Sequence, residues 1–159
     1  MIKRKKFLVT LIPLALLILI ILIINNREIP LNPPTPAISC HGDKINLSEA
    51  DHTWFNKDNG GNSCIFGSPY DIGKKMNSFI AEPESKINFS FKGKPKSIKV
   101  LFWTGYDKST IYKNYTNNNN KGEIIVPKKE GEYIMELVGQ WDESHTTSHV
   151  FKIKVSDTL

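Results

Sequence analysis

The sequence predicts a mainly β domain, an antiparallel β-sandwich with one short helix, preceded by a single N-terminal transmembrane helix. Three features predict this fold class: an uncharged apolar run near the N-terminus, a Pro-rich stretch after it, and short segments of period-two alternation in the second half of the chain. With 159 residues, the chain has room for one ordinary domain besides its targeting segment.

The apolar run from Phe7 to Ile24 contains 18 residues without a charge. As a helix it would span about 27 Å, close to the hydrocarbon thickness of a bilayer. Residues 1–6 carry four positive charges, which favours a cytoplasmic head and places everything after the run outside the cell. The nearest candidate processing site, residues 37–39 before Cys40, lies more than ten residues beyond the run, so we expect an uncleaved signal anchor.

The formal net charge of +5 comes almost entirely from the basic head. Without those four charges, 17 Lys and Arg stand against 16 Asp and Glu. A nearly neutral domain lacks the basic surface that binds phosphate backbones, so no nucleic-acid partner is expected. The positive charge of the basic head therefore indicates the orientation of the chain in the membrane.

Residues 25–37 contain four prolines, which is typical of a semi-rigid polyproline II spacer. We expect this spacer to lift the folded domain, residues 38–159, off the membrane surface.

Three helix-start signals occur together after the first third of the chain. Ser68 can act as an N-cap, Pro69 suits the first helical position, and Asp71 stands where an acid completes a capping box. They predict a short helix that ends near Met76 or Phe79.

After Glu84 the apolar period changes to two, which is typical of half-buried strands in a sandwich. The alternating apolar positions are Ile87, Phe89, Phe91; Ile98, Val100, Phe102; Ile124, Val126; Tyr133, Met135, Leu137; and Phe151, Ile153, Val155. We expect Phe89, Val100, Phe102, Leu137, Phe151 and Ile153 to share one core. Lys152 and Lys154 are expected to point to solvent.

Several short motifs follow one another in a recognisable order: Trp54 before Gly60-Gly61, the Ser68-Pro69 helix start, Lys94 to Ile98 leading a strand, Gly131-Glu132-Tyr133, and Trp141-Asp142 before the last strand. In these features the chain from about Asp51 to Val155 resembles small extracytoplasmic modules of low-GC Gram-positive bacteria. Such modules occur in membrane-anchored proteins of unknown function or appended to membrane regulators of the antibiotic-sensor (BlaR1-like) type. The resemblance implies an immunoglobulin-like module, and Tyr133 stands where such domains often place a tyrosine corner. No HExxH motif is present, so the resemblance implies no protease activity.

The two cysteines, Cys40 and Cys64, both follow the apolar run and are expected outside the cytoplasm. In an oxidising compartment such a pair is expected to form a disulfide, which would contribute about 3 kcal/mol by closing its loop. A reactive thiol or a metal-binding cysteine pair is the alternative.

His145 and His149 are four residues apart, a spacing that would place both on one face of a helix. The neighbouring Thr146 and Thr147 favour a strand instead, in which four residues cover about 13 Å, too far for one ion. We therefore predict no metal site and no cofactor.

The face of the strand that alternates with Ile98, Val100 and Phe102 carries Trp103. If that face is exposed, Trp103 together with Tyr106 or Tyr112 forms a partner-binding patch. The alternative is that the segment between Cys40 and Phe79 covers it.

The chain contains no serine-hydrolase elbow, no HExxH and no phosphate loop, so no catalysis is expected. The sequence predicts a single-pass cell-membrane protein whose extracellular domain binds or senses another membrane or cell-envelope protein. The alternative is a small envelope hydrolase or metal-dependent protein that uses the His145/His149 region with Asp142. With only about six residues in the cytoplasm, such a chain would signal through another membrane protein.

Overall fold

The computed structural model describes residues 13, 15–19, 28–57, 60–116 and 120–157. Within these ranges, eleven strands and one helix after residue 68 form the domain. The strands are β1 (Ala37–Cys40), β2 (Asp43–Lys44), β3 (Ser48–Asn56), β4 (Gly60–Ile65), β5 (Phe79–Ala81), β6 (Lys86–Ser90), β7 (Ser97–Gly105), β8 (Lys108–Thr116), β9 (Lys121–Ile125), β10 (Gly131–Asp142) and β11 (His145–Val155).

The strands form two sheets that pack face to face. The small sheet has the order β2-β1-β6-β9, and the large sheet has the order β4-β3-β11-β10-β7-β8. The short strand β5 pairs in parallel with the end of β11, and the other pairings are antiparallel. The predicted antiparallel β-sandwich is confirmed, with β5 as a parallel addition.

The core lies between the sheets and contains the predicted alternating residues except Phe102. Phe151 is fully buried on β11, and Met135 and Leu137 are fully buried on the neighbouring β10. Phe102 is only half-buried, because β7 lies next to the edge strand β8; its ring contacts that of Tyr133, with centroids 5.3 Å apart.

The expectation that Lys152 points to solvent is wrong. Its side chain is only 12% exposed, and its Nζ lies 3.0 Å from the carboxylate of Glu132. Lys152 pairs across the ladder with Ile134, which belongs to a second apolar cluster on the other face of the large sheet. Lys154 is exposed, as expected.

The predicted helix is present as α1 (Pro69–Lys75). The Ser68 side chain makes no capping bond; its Oγ donates to the carbonyl of Tyr106 instead, at 3.1 Å. The helix packs on the outer face of the large sheet, and Gly73 lies so close to Ile134 that an added Cβ would overlap that side chain. We use "outer face" for the side of the large sheet that carries α1.

The Pro-rich segment packs on the sandwich from Glu28 onward, whereas the sequence predicted a semi-rigid spacer over residues 25–37 that separates the domain from the membrane. The Lys94 amide donates to the Glu28 carbonyl at 2.7 Å, and Asn56 Nδ2 donates to the Leu31 carbonyl at 3.2 Å. Pro34 and Pro36 are buried. Proline rings supply apolar surface without an N–H donor that would need a partner, so an extended Pro-rich chain can pack in this way.

Pro13 and residues 15–19 are helical. In the described ranges, no helix has the length and apolar character needed to cross a membrane. Most of the predicted anchor, residues 7–24, and all of the basic head, residues 1–6, lie outside the described residues.

Candidate binding surface

The three aromatic residues predicted to bind a partner lie apart. Trp103 is half-buried on the outer face, packs with the apolar cluster beneath α1, and donates from Nε1 to Glu136 at 2.7 Å. Tyr106 is 68% exposed in the turn between β7 and β8. Tyr112 donates from its hydroxyl to the Ile125 carbonyl on β9, in the small sheet. Trp103 and Tyr112 therefore face opposite sides of the large sheet, and α1 covers Trp103.

A polar cleft of about 260 Å³ opens on the outer face. It forms because β10 lies between β7 and β11, and the register places Val138 opposite Lys99 and Ser148, and Gln140 opposite Ser97 and Thr146. Asp51 from β3 and Glu136 from β10 also line the cleft. Carboxyls, hydroxyls, an amide and an amine thus meet in one concave surface.

Glu136 is the buried acid of this cleft, with 5% of its surface exposed. Its carboxylate accepts hydrogen bonds from Trp103 Nε1 and from Ser148 Oγ. Burial raises the pKa of Glu136 above its usual 4.5, the two hydrogen bonds oppose this, and the charge of Asp51 adds to the rise. Burial also raises the pKa of Asp51. The raised pKa values mean that ionisation of both carboxyls is disfavoured. A positively charged or N–H-donating group that entered the cleft would stabilise their ionised forms.

Sequence reasoning missed Glu136, although a signal was present. Residues 134–138 read Ile-Met-Glu-Leu-Val, so a single acid interrupts a run that is apolar on both faces of the strand. An acid at such a position is rarely buried without partners, which makes it a site candidate.

A wider groove of about 720 Å³ lies between α1 and the start of β3. Glu49, Asp71 and Lys75 line it together with Phe66, which is 57% exposed. Because Ser68 is bonded to the Tyr106 carbonyl, the exposed Tyr106 borders the same end of α1. The outer face therefore carries exposed aromatic groups besides the polar cleft.

The structure brings Asp142 and His145 together but not His149. Asp142 Oδ1 lies 2.7 Å from His145 Nδ1, while His145 Nε2 lies 3.4 Å from Asn56 Oδ1. His149 lies four residues further along the same extended strand, opposite Leu137, and is buried. In a strand, four residues cover about 13 Å, so the three groups do not converge. Across the described residues, no group of three or more His, Cys, Asp or Glu is placed to hold a metal ion.

The predicted disulfide is wrong: Cys40 and Cys64 are both free thiols. Cys40 is on β1, paired with Ile87 in the small sheet, whereas Cys64 is on β4, paired with His52 in the large sheet. Stacked sheets lie about 10 Å apart, beyond the Cα separation of about 4.4–6.8 Å that a disulfide allows.

We expect one of the two thiols to react readily in the folded chain. Cys64 is half-buried on an edge strand, whereas Cys40 is buried in the core. A maleimide should therefore label one thiol under native conditions and a second only after denaturation. Cys64→Ser should remove the native label and Cys40→Ser should leave it. A chain with no free thiol before reduction would contradict the structure.

No protein-family model matches the chain, and no curated protein matches it. Among solved structures, the chain is similar to a chitin-binding domain from Burkholderia pseudomallei, with 9% sequence identity. The match covers 76% of this chain and 85% of that chain, with a TM-score of 0.44. A likeness at this level carries no argument about a ligand.

The effect of replacing Glu136 on stability should depend on whether the new side chain keeps the shape and polarity of the old one. Glu136→Ala leaves Trp103 Nε1 and Ser148 Oγ without their partner and should cost about 1–3 kcal/mol of unfolding free energy. Glu136→Gln keeps the shape, and its amide can accept from Trp103 Nε1 through the oxygen and donate to Ser148 Oγ through the nitrogen, so the domain should remain folded. Because the folded-state pKa of Glu136 is raised, its stabilising contribution is present at low pH and is lost as the pH rises through that pKa.

The Gln variant should therefore be more stable, relative to the wild type, at pH 8 than at pH 4. Denaturant unfolding of both chains at the two pH values measures this difference. A wild type that gained stability relative to Glu136→Gln on going from pH 4 to pH 8 would show that the carboxyl is not held in a disfavoured ionised state.

Proposed function

We propose that the chain is a membrane-anchored domain outside the cytoplasm that binds another membrane or cell-envelope protein through the outer face of its large sheet. The apolar run of residues 7–24 and the basic head support the anchor and its orientation. The binding reaction involves no catalysis. The Asp142–His145 pair does not favour the hydrolase alternative, because His149 lies apart from it.

We also assign the sandwich to the immunoglobulin-like class. Tyr133, near the start of the long strand β10, donates from its hydroxyl to the carbonyl of Lys129, four residues upstream, at 2.6 Å. This is the hydrogen bond that a tyrosine corner makes at the entrance to the corresponding strand of such domains. It supports the implication of the sequence resemblance.

The observation that carries the binding proposal is the buried carboxyl of Glu136 in an open cleft. An acid 5% exposed between Leu101 and Val150 adds a desolvation cost that an apolar residue of similar size would avoid. Its partners in the folded chain satisfy part of its hydrogen-bonding capacity, and the cleft leaves room for a partner's group beside Asp51. A lysine, an arginine or a backbone N–H of the partner fits this chemistry.

The direct test places a photo-crosslinking amino acid at Lys99, which lines the cleft, in the full chain in its native membrane. Lys44, exposed on β2 of the small sheet, is the matched control position. We expect a discrete protein adduct from position 99 and none from position 44. The adduct should disappear when Asp51→Asn and Glu136→Gln are added, since these changes remove charge and preserve shape.

Adducts of equal yield from positions 99 and 44 would contradict a specific outer-face partner. An adduct at position 99 whose yield is unchanged by Asp51→Asn and Glu136→Gln would also contradict the proposal.

A further inference from the structure

At one end of the sandwich, the segment that enters the domain from the N-terminal side packs against neighbouring loops. The Glu28 carbonyl is bonded to the Lys94 amide in the loop between β6 and β7, and the Leu31 carbonyl is bonded to Asn56 at the end of β3. We call residues 28–35, 55–57 and 92–96 the N-proximal end. The pairing of Gly131 with Val155 lies at the opposite end of the large sheet, because β10 and β3 both run antiparallel to β11.

Chain length brings the N-proximal end close to the predicted anchor. From Ile24, the last residue of the apolar run, to Glu28 the chain can span at most about 14 Å. About 5–7 Å of this crosses the headgroup region, given the difference between the hydrocarbon core and the full bilayer thickness. Glu28 therefore lies within roughly 9 Å of the headgroups, close to the Debye length of about 8 Å at physiological ionic strength.

The surface chemistry of this end suits a bilayer surface. Lys57, Lys92 and Lys96 are exposed, and the half-exposed Leu31 and Phe55 add apolar surface. Among the described residues, acidic groups at the same end are partly engaged: Glu28 pairs with Lys94 at 3.4 Å and Asp142 with His145 at 2.7 Å, while Glu143 is exposed. Lysines beside exposed apolar side chains are the combination that interfacial membrane contacts use.

A groove at this end could take a headgroup. It has a volume of about 690 Å³ and lies between residues 30–35 and residues 91–93. Lys92 supplies a cation and Asn32 an exposed amide along the same groove, whereas Asn120 Nδ2 uses one of its two N–H groups to donate to the Phe91 carbonyl at 3.1 Å. A phosphate group would find both charge and hydrogen-bond donors there.

We propose that the N-proximal end rests on the bilayer and binds anionic phospholipid headgroups, so that the domain stands in a fixed orientation with the opposite end directed away from the membrane. This inference rests on the proposed membrane anchor. It gives residues 28–36 a role as a docked connector, which sets the height and tilt of the domain.

The test uses the full chain in nanodiscs of phosphatidylcholine with or without phosphatidylglycerol. A fluorescent amino acid replaces Asn32 at the N-proximal end or Lys128 in the exposed loop after β9. Lipids with a nitroxide on the headgroup act as the quencher. We expect strong quenching at position 32 and weak quenching at position 128, with the contrast largest in anionic discs. Lys92→Gln with Lys96→Gln, or salt near 1 M, where the Debye length is about 3 Å, should reduce quenching at position 32.

Carbonate extraction of liposomes with the same lipid composition distinguishes a failure of the anchor from a failure of the inference itself. Release of the chain by carbonate would overturn the anchor, and the inference with it. A retained chain with equal quenching at positions 32 and 128 would overturn the docked orientation and leave the anchor intact. Quenching at position 32 that ignores lipid charge and salt would overturn the recognition of anionic headgroups.

Discussion

Phe151→Ala is expected to lower the free energy of unfolding by about 3–5 kcal/mol, as large aromatic truncations in a packed core do. Phe151 is fully buried and lies opposite Met135, which is also fully buried. Its strand, β11, pairs with β3, β5 and β10, so few neighbouring elements can move to fill the space. Denaturant unfolding of the chain in detergent should show a lower midpoint with an unchanged slope.

The matched control is Lys154→Ala on the same strand. Lys154 is exposed and lies in the alternate phase, so the change should be nearly neutral. Lys152→Ala should have an intermediate effect because its side chain is mostly covered and pairs with Glu132. If Lys154→Ala were as damaging as Phe151→Ala, the register of β11 would be displaced by one residue, which exchanges the two faces of the strand.

Such a control is meaningful because alternation after residue 84 determined the strands correctly. A strand with one face in the core usually carries apolar residues at every second position, and β6, β7, β10 and the second half of β11 do so. The first half of β11 instead buries His145, Thr147 and His149, so the alternation did not predict it. The edge strands β4 and β8 escape this rule. Nearly all their residues are exposed, so they have no apolar pattern to detect. They are held by pairing with one neighbouring strand and by a few side-chain contacts, such as the hydrogen bond from the Tyr112 hydroxyl to the Ile125 carbonyl.

Tertiary context explains the other differences between expectation and structure. Cys40 and Cys64 are close in sequence, yet the chain between them crosses from one sheet to the other. The Pro-rich segment has the composition of a semi-rigid spacer, but Pro34 and Pro36 are buried against a surface that no local pattern reveals. The structure covers Trp103 with α1, which belongs to the segment between Cys40 and Phe79 that was the alternative to an exposed patch. The close packing of that helix depends on Gly73 and Ile134, from distant parts of the chain.

His149 should make the domain acid-sensitive. It is 2% exposed, and burial lowers its pKa from 6.5 to about 4; the charge of Glu49 opposes the shift and that of His52 adds to it. In the part of the chain that the structure describes, no group hydrogen-bonds its Nδ1. Between pH 6.5 and pH 4 the His149 imidazole is protonated in the unfolded chain but stays neutral in the folded chain.

The sign follows from the lowered pKa. The contribution of neutral His149 is fully present above pH 6.5 and is lost as the pH falls through about 4. At about 1.36 kcal/mol for each tenfold difference in proton affinity, the loss amounts to about 3 kcal/mol. Glu136 and Asp51 act in the opposite direction, since their raised pKa values favour the folded state as acid is added. The effect of His149 must therefore be measured as a difference between variants.

We expect His149→Gln to flatten the fall in unfolding free energy between pH 6.5 and pH 4, even if the variant is less stable at neutral pH. Denaturant unfolding at several pH values in this range provides the slope for each chain. His41→Asn is the matched control, because His41 is exposed and its positive φ of 51° suits asparagine. This control should keep the wild-type slope. If His149→Gln also kept the wild-type slope while His41→Asn lost it, the acid sensitivity would belong to the surface and not to the buried face of β11.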